Sequence, residues 1–409
     1  VSHSIYPELV QILSEIEDEY IHRVTARIIV FLTGDVTDSL IRFAESNLMD
    51  AIYSSIPSTN VMKYSTSIEY IFQIIANFLD DPHSDVCEYA HQYFKIDRLF
   101  EIFNKINEES NKTNSELILR IIKRWMSCIF TTISKFPNEL TIDDTTNILF
   151  QIKDYLNIFL EEPILCQHLC YSISTLIDNK LIDYNEFNEF NYSNMIFTIS
   201  ILNNESVKTY AFLVIGKLIS LNAFTASCDF SYFFDVVLKS NQSTDRNLIF
   251  TALRVCHSFL QNPYVSEKAF EQITNNMPFL FDLYDKENFD VKYELKILFH
   301  YYLIYCVRFH NAEFENYSEI IFKITDIFFD FIQVEDEVSY ILKKIFKSLL
   351  FLNKYLNNLG QIYLPSAIQY IQQYNECIEF LKDSENTEIS EFGHALLALD
   401  EDSIDQFGN

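Results

Sequence analysis

The most compact group of potential metal ligands in this sequence is Cys166, His168 and Cys170. On a helix, a spacing of four residues places both thiols on one face, and thiolate and imidazole are the side chains that zinc prefers. A structural zinc site takes four ligands, however, and no second pair lies nearby in the sequence. We therefore interpret the two cysteines as core thiols and predict neither a metal nor a cofactor.

Two histidines, His257 and His300, lie in aromatic-rich stretches and are candidate general bases. No serine elbow, glycine-rich phosphate loop or His-Glu-x-x-His motif accompanies them. The acid pairs Asp80-Asp81 and Asp143-Asp144 fall at predicted helix ends, where capping and solvation account for them. The sequence thus predicts a protein that is not an enzyme, and an enzyme of unknown type on a helical scaffold has the least support.

Basic side chains recur along the long predicted helices, where acids are scarce and Glu294 and Glu391 are the main exceptions. A face built from them would attract acidic or phosphorylated segments, with arginine making bidentate contacts. Helix dipoles also favour bases late in a helix, and the stems of Lys and Arg often cover apolar surface, so both explanations stay open. The cations concerned are Arg120, Lys123, Arg124, Lys208, Lys217, Arg254, Lys292, Lys296, Lys343, Lys344 and Lys347.

The composition indicates which elements must position these residues. Among 409 residues, 49% are hydrophobic and only 5 are Gly and 8 Pro, which favours helices over folds that need repeated glycine turns. The net charge of −28 argues against nucleic-acid partners. No apolar run reaches the roughly 18 residues of a membrane span, and residues 1–20 do not resemble a signal peptide. We expect a soluble protein of the cytoplasm, with the nucleus as a second compartment.

An internal repeat organises the chain. A short amphipathic helix is predicted at residues 7–13, 47–52 and 96–103, and again near residues 148, 195, 233, 279, 321 and 378. The spacing is roughly 38–55 residues, which brackets the period of armadillo and HEAT repeats. A polar turn and a longer helix follow most copies. The longer helices open with an acidic or polar residue and a branched aliphatic one, and two of them carry a small residue four positions later, Ala211 and Gly393.

The order of a short, a medium and a long helix resembles the armadillo repeat superfamily, although HEAT repeats could imitate single units. The resemblance implies an all-α, right-handed α-solenoid of about nine armadillo/HEAT-like repeats over residues 1–399. Two insertions are expected, a polar loop at 107–116 and a longer one at 353–365. Residues 400–409 are predicted to form an acidic tail.

In that superfamily the long third helices line the concave groove that holds partners. The resemblance therefore implies a non-enzymatic scaffold that binds an extended segment of another protein, with the cations above, His257, His300 and Asn77 in the groove. An importin-alpha-like nuclear transport adaptor is the alternative. Its Trp and Asn ladder is degenerate here, because Ile129 stands four residues after Trp125, and only Asn77 lies near an expected Asn position.

Overall fold

The computed structural model consists of helices. It describes residues 5–15, 17–35, 38–55, 65–110, 115–155, 160, 162–224, 230–238, 245–262, 266–309, 314–332, 340–358 and 365–398. Within these ranges there are 22 α-helices, two short 3-10 turns and no strand. The predicted all-α fold class is confirmed.

Contacts divide the chain into two compact units, Val1–Val214 and Ile215–Asn409. The prediction of one array over residues 1–399 stays a prediction, and the predicted acidic tail lies outside the described residues. The N-terminal unit contains α1 (Ile5–Glu15), α2 (Glu19–Asp35), α3 (Ser39–Glu45), α4 (Leu48–Ser55), α5 (Ser65–Asp80), α6 (Ser84–Tyr93), α7 (Ile96–Ser110), α8 (Ser115–Lys135), α9 (Ile142–Ile152), α10 (Pro163–Asp178), α11 (Tyr184–Glu189), α12 (Tyr192–Ser200) and the larger part of α13 (Glu205–Ser220).

The C-terminal unit begins within α13 and continues with nine further helices. They are α14 (Phe230–Leu238), α15 (Arg246–Gln261), α16 (Ser266–Asn275), α17 (Met277–Lys286), α18 (Phe289–Phe309), α19 (Phe314–Ile332), α20 (Tyr340–Asn358), α21 (Pro365–Lys382) and α22 (Thr387–Leu397).

The repeat order predicted from the sequence recurs in both units. A helix occupies each of the nine predicted positions of the short recurring element: α1, α4, α7, α9, α12, α14, α17, α19 and α21. Each is followed by a third helix of its repeat: α2, α5, α8, α10, α13, α15, α18, α20 and α22. Additional first helices, α3, α6, α11 and α16, complete four of the repeats. The chain therefore has an armadillo-like repeat fold.

Asparagine side chains start several of the third helices. Asn204, Asn288 and Asn386 each accept, through Oδ1, the backbone N–H of the residue three positions later, at 3.0, 3.3 and 3.4 Å. An acidic residue follows in each first turn, where it interacts favourably with the helix dipole. The polar-plus-aliphatic pattern in the sequence is thus a helix cap followed by the first residue of the buried stripe.

Neighbouring third helices pack closely enough to exchange hydrogen bonds. Ser134 of α8 lies 3.0 Å from Ser172 of α10, and in the other unit Ser220 of α13 donates to Ser258 of α15 at 3.1 Å. Both pairs are 38 residues apart in the chain. This separation is close to one repeat, so equivalent positions of successive repeats face one another.

Helices extend into both predicted insertions. α7 continues to Ser110 and α8 starts at Ser115, so the expected loop at 107–116 is wrong except for residues 111–114, which lie outside the described part. α20 likewise continues to Asn358, into the predicted insertion at 353–365. Polar composition predicted the loop at 107–116, and a stretched repeat spacing with Gly360 and Pro365 predicted the insertion at 353–365. Neither 107–110 nor 353–358 contains the Gly or Pro that would end a helix.

Two helical glycines of the C-terminal unit differ in how closely they approach a neighbouring helix. A Cβ atom added at Gly393 of α22 would lie 2.7 Å from the backbone nitrogen of Lys382, at the end of α21. At Gly216 the nearest atom, on Val255, would be 3.7 Å away, which is ordinary van der Waals contact. The small residue predicted at Gly393 is therefore required by backbone packing, whereas Gly216 has room for a methyl group.

We predict opposite effects of alanine at these two positions. Gly393→Ala forces α21 and α22 apart and should lower the free energy of unfolding by about 1–3 kcal/mol. Gly216→Ala removes a poor helix former without a clash and should raise it by about 0.5–1 kcal/mol. Urea denaturation followed by circular dichroism measures both. Equal destabilisation by the two variants would contradict the packing described for α22.

Candidate functional site

The predicted cations of α8 in the N-terminal unit are largely neutralised by carboxylates. Arg120 makes ion pairs with Glu69 of α5 at 3.0 Å and with Glu116 of its own helix at 3.2 Å. Lys123 lies 2.8 Å from Glu162, the residue that precedes α10. Arg124 is exposed and makes no ion pair within the part of the chain described. Little net positive charge is left on this helix for a ligand.

Asn77 forms a hydrogen bond between two third helices, α5 and α2, so its side chain is already engaged within the protein. Its Nδ2 donates to Thr33 Oγ1 of α2 at 2.9 Å, and its Oδ1 accepts from Gln73 at 2.8 Å. It also lines a cavity of about 390 Å³ whose other residues include Asp38, Asp80 and Asp81. The surroundings of Asn77 are therefore acidic.

Trp125 belongs to the core of the N-terminal unit. It is fully buried, its Nε1–H donates to the carbonyl of Leu99 at 3.0 Å, and its ring stacks on Phe103 at 3.9 Å. A buried, fully bonded indole does not present the exposed ring that a Trp and Asn ladder requires. Of the remaining predicted cations, Lys208 and Lys217 are half-buried on α13, one in each unit.

The C-terminal unit has a different charge balance. Its helices α15, α18 and α20 together contain nine Lys and Arg and only two Asp and Glu. In the whole chain acids are in excess, with 30 bases to 58 acids. Positive charge is therefore enriched on three consecutive third helices of this acidic protein.

A chain of polar contacts links these three helices. Arg254 Nε of α15 donates to Glu294 Oε1 of α18 at 2.9 Å, and His257 Nε2 lies 3.2 Å from the other oxygen of Glu294. The His257 ring stacks on Tyr301 with centroids 5.6 Å apart, and Lys344 of α20 donates to Tyr301 Oη at 2.7 Å. We call these five residues the polar ladder.

Burial sets the protonation of the polar ladder. Glu294 is fully buried, whereas the side chain of Arg254 is 45% exposed. Burial lowers the pKa of His257, and the charges of Arg254 and Lys344 lower it further. The hydrogen bond to Glu294 acts in the opposite direction but does not outweigh them, so His257 is neutral at pH 7. Burial disfavours the charged form of Lys344, but its hydrogen bonds to Tyr301 and Tyr340 leave its pKa above the ordinary value. Arg254 and Lys344 are thus the fixed positive charges.

Two predicted cations of α18 lie elsewhere. Lys292 stands 5.2 Å above the ring of Tyr284 on α17, and Lys296 stands 3.6 Å above Phe331 on α19 with only 4% of its surface exposed. Both rings belong to second helices, so the structure does not bring these lysines into the polar ladder. Lys343 and Lys347 are half-buried on α20 beside Lys344.

His300 is part of the core and not a base open to a ligand. Its Nδ1 lies 2.5 Å from Ser348 Oγ of α20, and only 4% of its surface is exposed. Burial, aided by the charge of Lys344, lowers the pKa of His300 to about 3. The imidazole is therefore neutral throughout the range in which most proteins are folded.

Sequence reasoning identified the cations of the polar ladder but not the residues that hold them. Glu294 stood out only as an exception to the scarcity of acids, and Tyr301 was one aromatic residue among many. A usable signal existed: Arg254 and Glu294 are 40 residues apart, and Tyr301 and Lys344 are 43 apart, close to one repeat. Opposite or hydrogen-bonding partners at that spacing indicate contact between third helices.

The Cys166 and Cys170 thiols are fully buried in α10, and burial raises the pKa of Cys166 to about 12. Within the described ranges, no three or more His, Cys, Asp or Glu side chains are arranged to hold a metal ion. None of the described helices combines the length and the apolar composition that crossing a bilayer requires.

Comparison with solved structures supports the fold. An engineered protein from the Northeast Structural Genomics Consortium superposes with a TM-score of 0.58 at 12% identity, covering 98% of this chain and 99% of that protein. A designed armadillo repeat protein in complex with the peptide (KR)4 gives a TM-score of 0.31 at 10% identity, over 73% of this chain and all of that protein. Another designed armadillo repeat protein gives a TM-score of 0.30 at 9% identity, over 73% of this chain and 99% of that protein.

Of the three, the first exceeds a TM-score of 0.5, and at 12% identity it shows a shared fold and no shared function. No protein-family model and no curated protein sequence matches the chain. By its own helix order and this similarity, the chain is an all-α helical repeat protein of the armadillo-like kind.

The ion pair of the polar ladder should show strong coupling in a double-mutant cycle. Arg254→Met leaves the buried Glu294 carboxylate with His257 alone and should cost about 2–4 kcal/mol of unfolding free energy. Adding Glu294→Met should restore part of the lost unfolding free energy, because the buried carboxylate is then absent. Urea denaturation of the single and double variants measures the coupling. Lys286→Met, which removes an exposed pair with Asp282, is the control and should cost below about 1 kcal/mol. Strictly additive losses would contradict the burial of Glu294.

His300 should make the protein sensitive to acid. Its pKa is about 3 in the folded state and near 6.5 when unfolded, so the unfolded chain binds the extra proton between these values. This contribution to stability is complete above pH 6.5 and declines as the pH falls towards 3. The variant His300→Asn keeps an acceptor for Ser348 but has no imidazole to protonate. Between pH 7 and pH 5 its free energy of unfolding should fall by about 2 kcal/mol less than that of the parent protein. Denaturation curves at both pH values test this; parallel losses would show that His300 is protonated while folded.

Proposed function

We propose that this protein is a non-catalytic binding scaffold that holds an extended acidic segment of a partner protein along α15, α18 and α20. The observation that carries the proposal is the group of cations on and beside the polar ladder: Arg254 and Lys344 belong to it, and Lys343 and Lys347 stand next to Lys344 on α20. A cationic surface on an otherwise acidic chain selects anionic partners.

The cations of this surface are held in place before a ligand arrives. Glu294 binds Arg254 through Nε, so the two Nη groups are not part of that ion pair. Tyr301 and Tyr340 hold Lys344 from two sides, with its Nζ 4.6 and 4.9 Å from the ring centroids. Fixing these long side chains in advance reduces the entropy lost on binding.

Exposed aromatic rings border the same surface. Tyr340 at the start of α20 is 62% exposed and Phe289 at the start of α18 is 67% exposed. Amphipathic rings of this kind supply contact area for an extended chain between its charged positions. Arg120 and Lys123 of α8 are paired with carboxylates, whereas Lys344 is held by a tyrosine hydroxyl, and this is why we place the ligand on the C-terminal unit.

We also propose a cytoplasmic location, with the nucleus as the alternative. The seven cysteines in the described part of the chain are buried free thiols, which suits a reducing compartment.

A peptide titration tests the proposed function. Fluorescent 12-residue peptides rich in Glu, in Gln or in Lys are titrated against the whole chain. The Glu peptide should bind tightest, and added salt should weaken it, because screening acts on exposed charges. The double variant Lys343→Gln, Lys344→Gln should bind the Glu peptide about 10- to 100-fold more weakly. Lys286→Gln on α17, the matched control, should bind it unchanged.

Two results would contradict the proposal. The Lys peptide could bind tighter than the Glu peptide, which would instead support an adaptor for lysine-rich signals. Alternatively, the double variant could bind the Glu peptide as well as the control variant does, which would place the acidic ligand on another surface.

A further inference from the structure

Two fixed cations approach the same stretch of α18 from opposite neighbours. Arg254 reaches it from α15 through Glu294, and Lys344 reaches it from α20 through Tyr301. His257 lies between them: its Nε2 is 3.2 Å from Glu294 and its ring stacks on Tyr301. Burial raises the pKa of Tyr293, as does the neighbouring charge of Glu294, while Arg254 and Lys344 act in the opposite sense. The polar ladder therefore connects the two positive groups across α18, together with the Tyr301 hydroxyl.

We propose that this region binds the phosphate group of a phosphorylated side chain, carried by the extended acidic segment that the protein holds. We call it the phosphate site and define it as Arg254, Lys344, Tyr293, Tyr301 and Tyr340. The inference rests on the proposed function and names the residue of the partner that anchors the complex.

The donors of the phosphate site come from three helices. Arg254 offers its Nη groups from α15, Lys344 its ammonium from α20, and Tyr301 its hydroxyl from α18. Tyr301 Oη accepts from Lys344, which leaves its own O–H available to donate. A carboxylate has two oxygens in one plane, whereas a phosphate monoester presents three strong acceptor oxygens in a tetrahedral arrangement. Three donors from three helices therefore suit the three phosphate oxygens better than the two oxygens of a carboxylate.

Charge supports the same ligand. Glu294 is fully buried, so its negative charge is not exposed to solvent, whereas the side chain of Arg254 is 45% exposed. Because burial lowers the pKa of His257, that ring is neutral and adds no charge. Lys343 and Lys347 add two further positive charges on α20, next to Lys344. A phosphate carries close to two negative charges at pH 7 and gains more from this surface than a single carboxylate does.

Three versions of one Glu-rich peptide, differing at a single central residue, test the phosphate site. That residue is serine, glutamate or phosphoserine. Titration of the whole chain should show the phosphoserine peptide binding about tenfold or more tighter than the glutamate peptide. In the Lys344→Gln variant, the phosphoserine peptide should bind no tighter than the glutamate peptide. Lys292→Gln changes a lysine on the face of α18 turned towards α17 and is the matched control. In this variant the phosphoserine peptide should still bind about tenfold or more tighter than the glutamate peptide.

Because Arg254→Gln alone would leave Glu294 buried without its cation, the arginine is tested as Arg254→Gln, Glu294→Gln. This double variant should also lose the gain from phosphorylation, and far-UV circular dichroism checks that it is folded. Inorganic phosphate is titrated alone as a further arm and should bind far more weakly than the phosphoserine peptide.

The outcomes separate this inference from the function on which it rests. Equal binding of the glutamate and phosphoserine peptides would overturn the phosphate site and leave the proposed function standing. No binding of any of the three peptides would overturn both. Inorganic phosphate binding as tightly as the phosphoserine peptide would overturn the peptide-borne ligand and point to a free anion.

Discussion

Both units of this protein depend on the contact between one third helix and the third helix of the next repeat. Apolar residues fill that contact, and polar pairs mark its register: Thr33 with Asn77, Lys123 with Glu162, and Arg254 with Glu294 are 44, 39 and 40 residues apart. Because each repeat of such an array touches only its neighbours, its stability is approximately a sum of repeats and interfaces. The polar ladder belongs to that interface in the C-terminal unit.

The same interface also decides which surfaces are charged. In the N-terminal unit, Arg120 and Lys123 of α8 meet carboxylates from neighbouring repeats, and the charges of these pairs cancel. In the C-terminal unit, Lys344 meets Tyr301, a neutral partner that fixes the ammonium group without neutralising it. An acidic chain can thus carry a cationic surface, since the partner residue at one repeat's distance determines whether a base remains available to a ligand.

Local rules were enough to predict the helices and their repeat, because amphipathic spacing and capping residues act within a few positions of the chain. They failed at 107–110, where polar composition was taken as the end of a helix, and at 353–358, where a stretched repeat spacing was taken as an insertion. They also could not assign Lys296 to its face: Phe331, the ring that covers it, lies on another helix, 35 positions along the chain. The partners of the polar ladder are non-local in the same way and become visible only when the repeat is used to align positions.

Glu294 shows what the non-local partner contributes. Removing a carboxylate from water is costly, and an apolar residue at such a position is often equally or more stabilising. An apolar residue would leave Arg254 free to rotate in solvent, however, and would remove the acceptor that His257 uses. With Glu294 in place, the guanidinium is held through Nε, and the two Nη groups are not part of that ion pair. The cost of burying this charge therefore has a clear physical counterpart: it fixes the arginine side chain in one position.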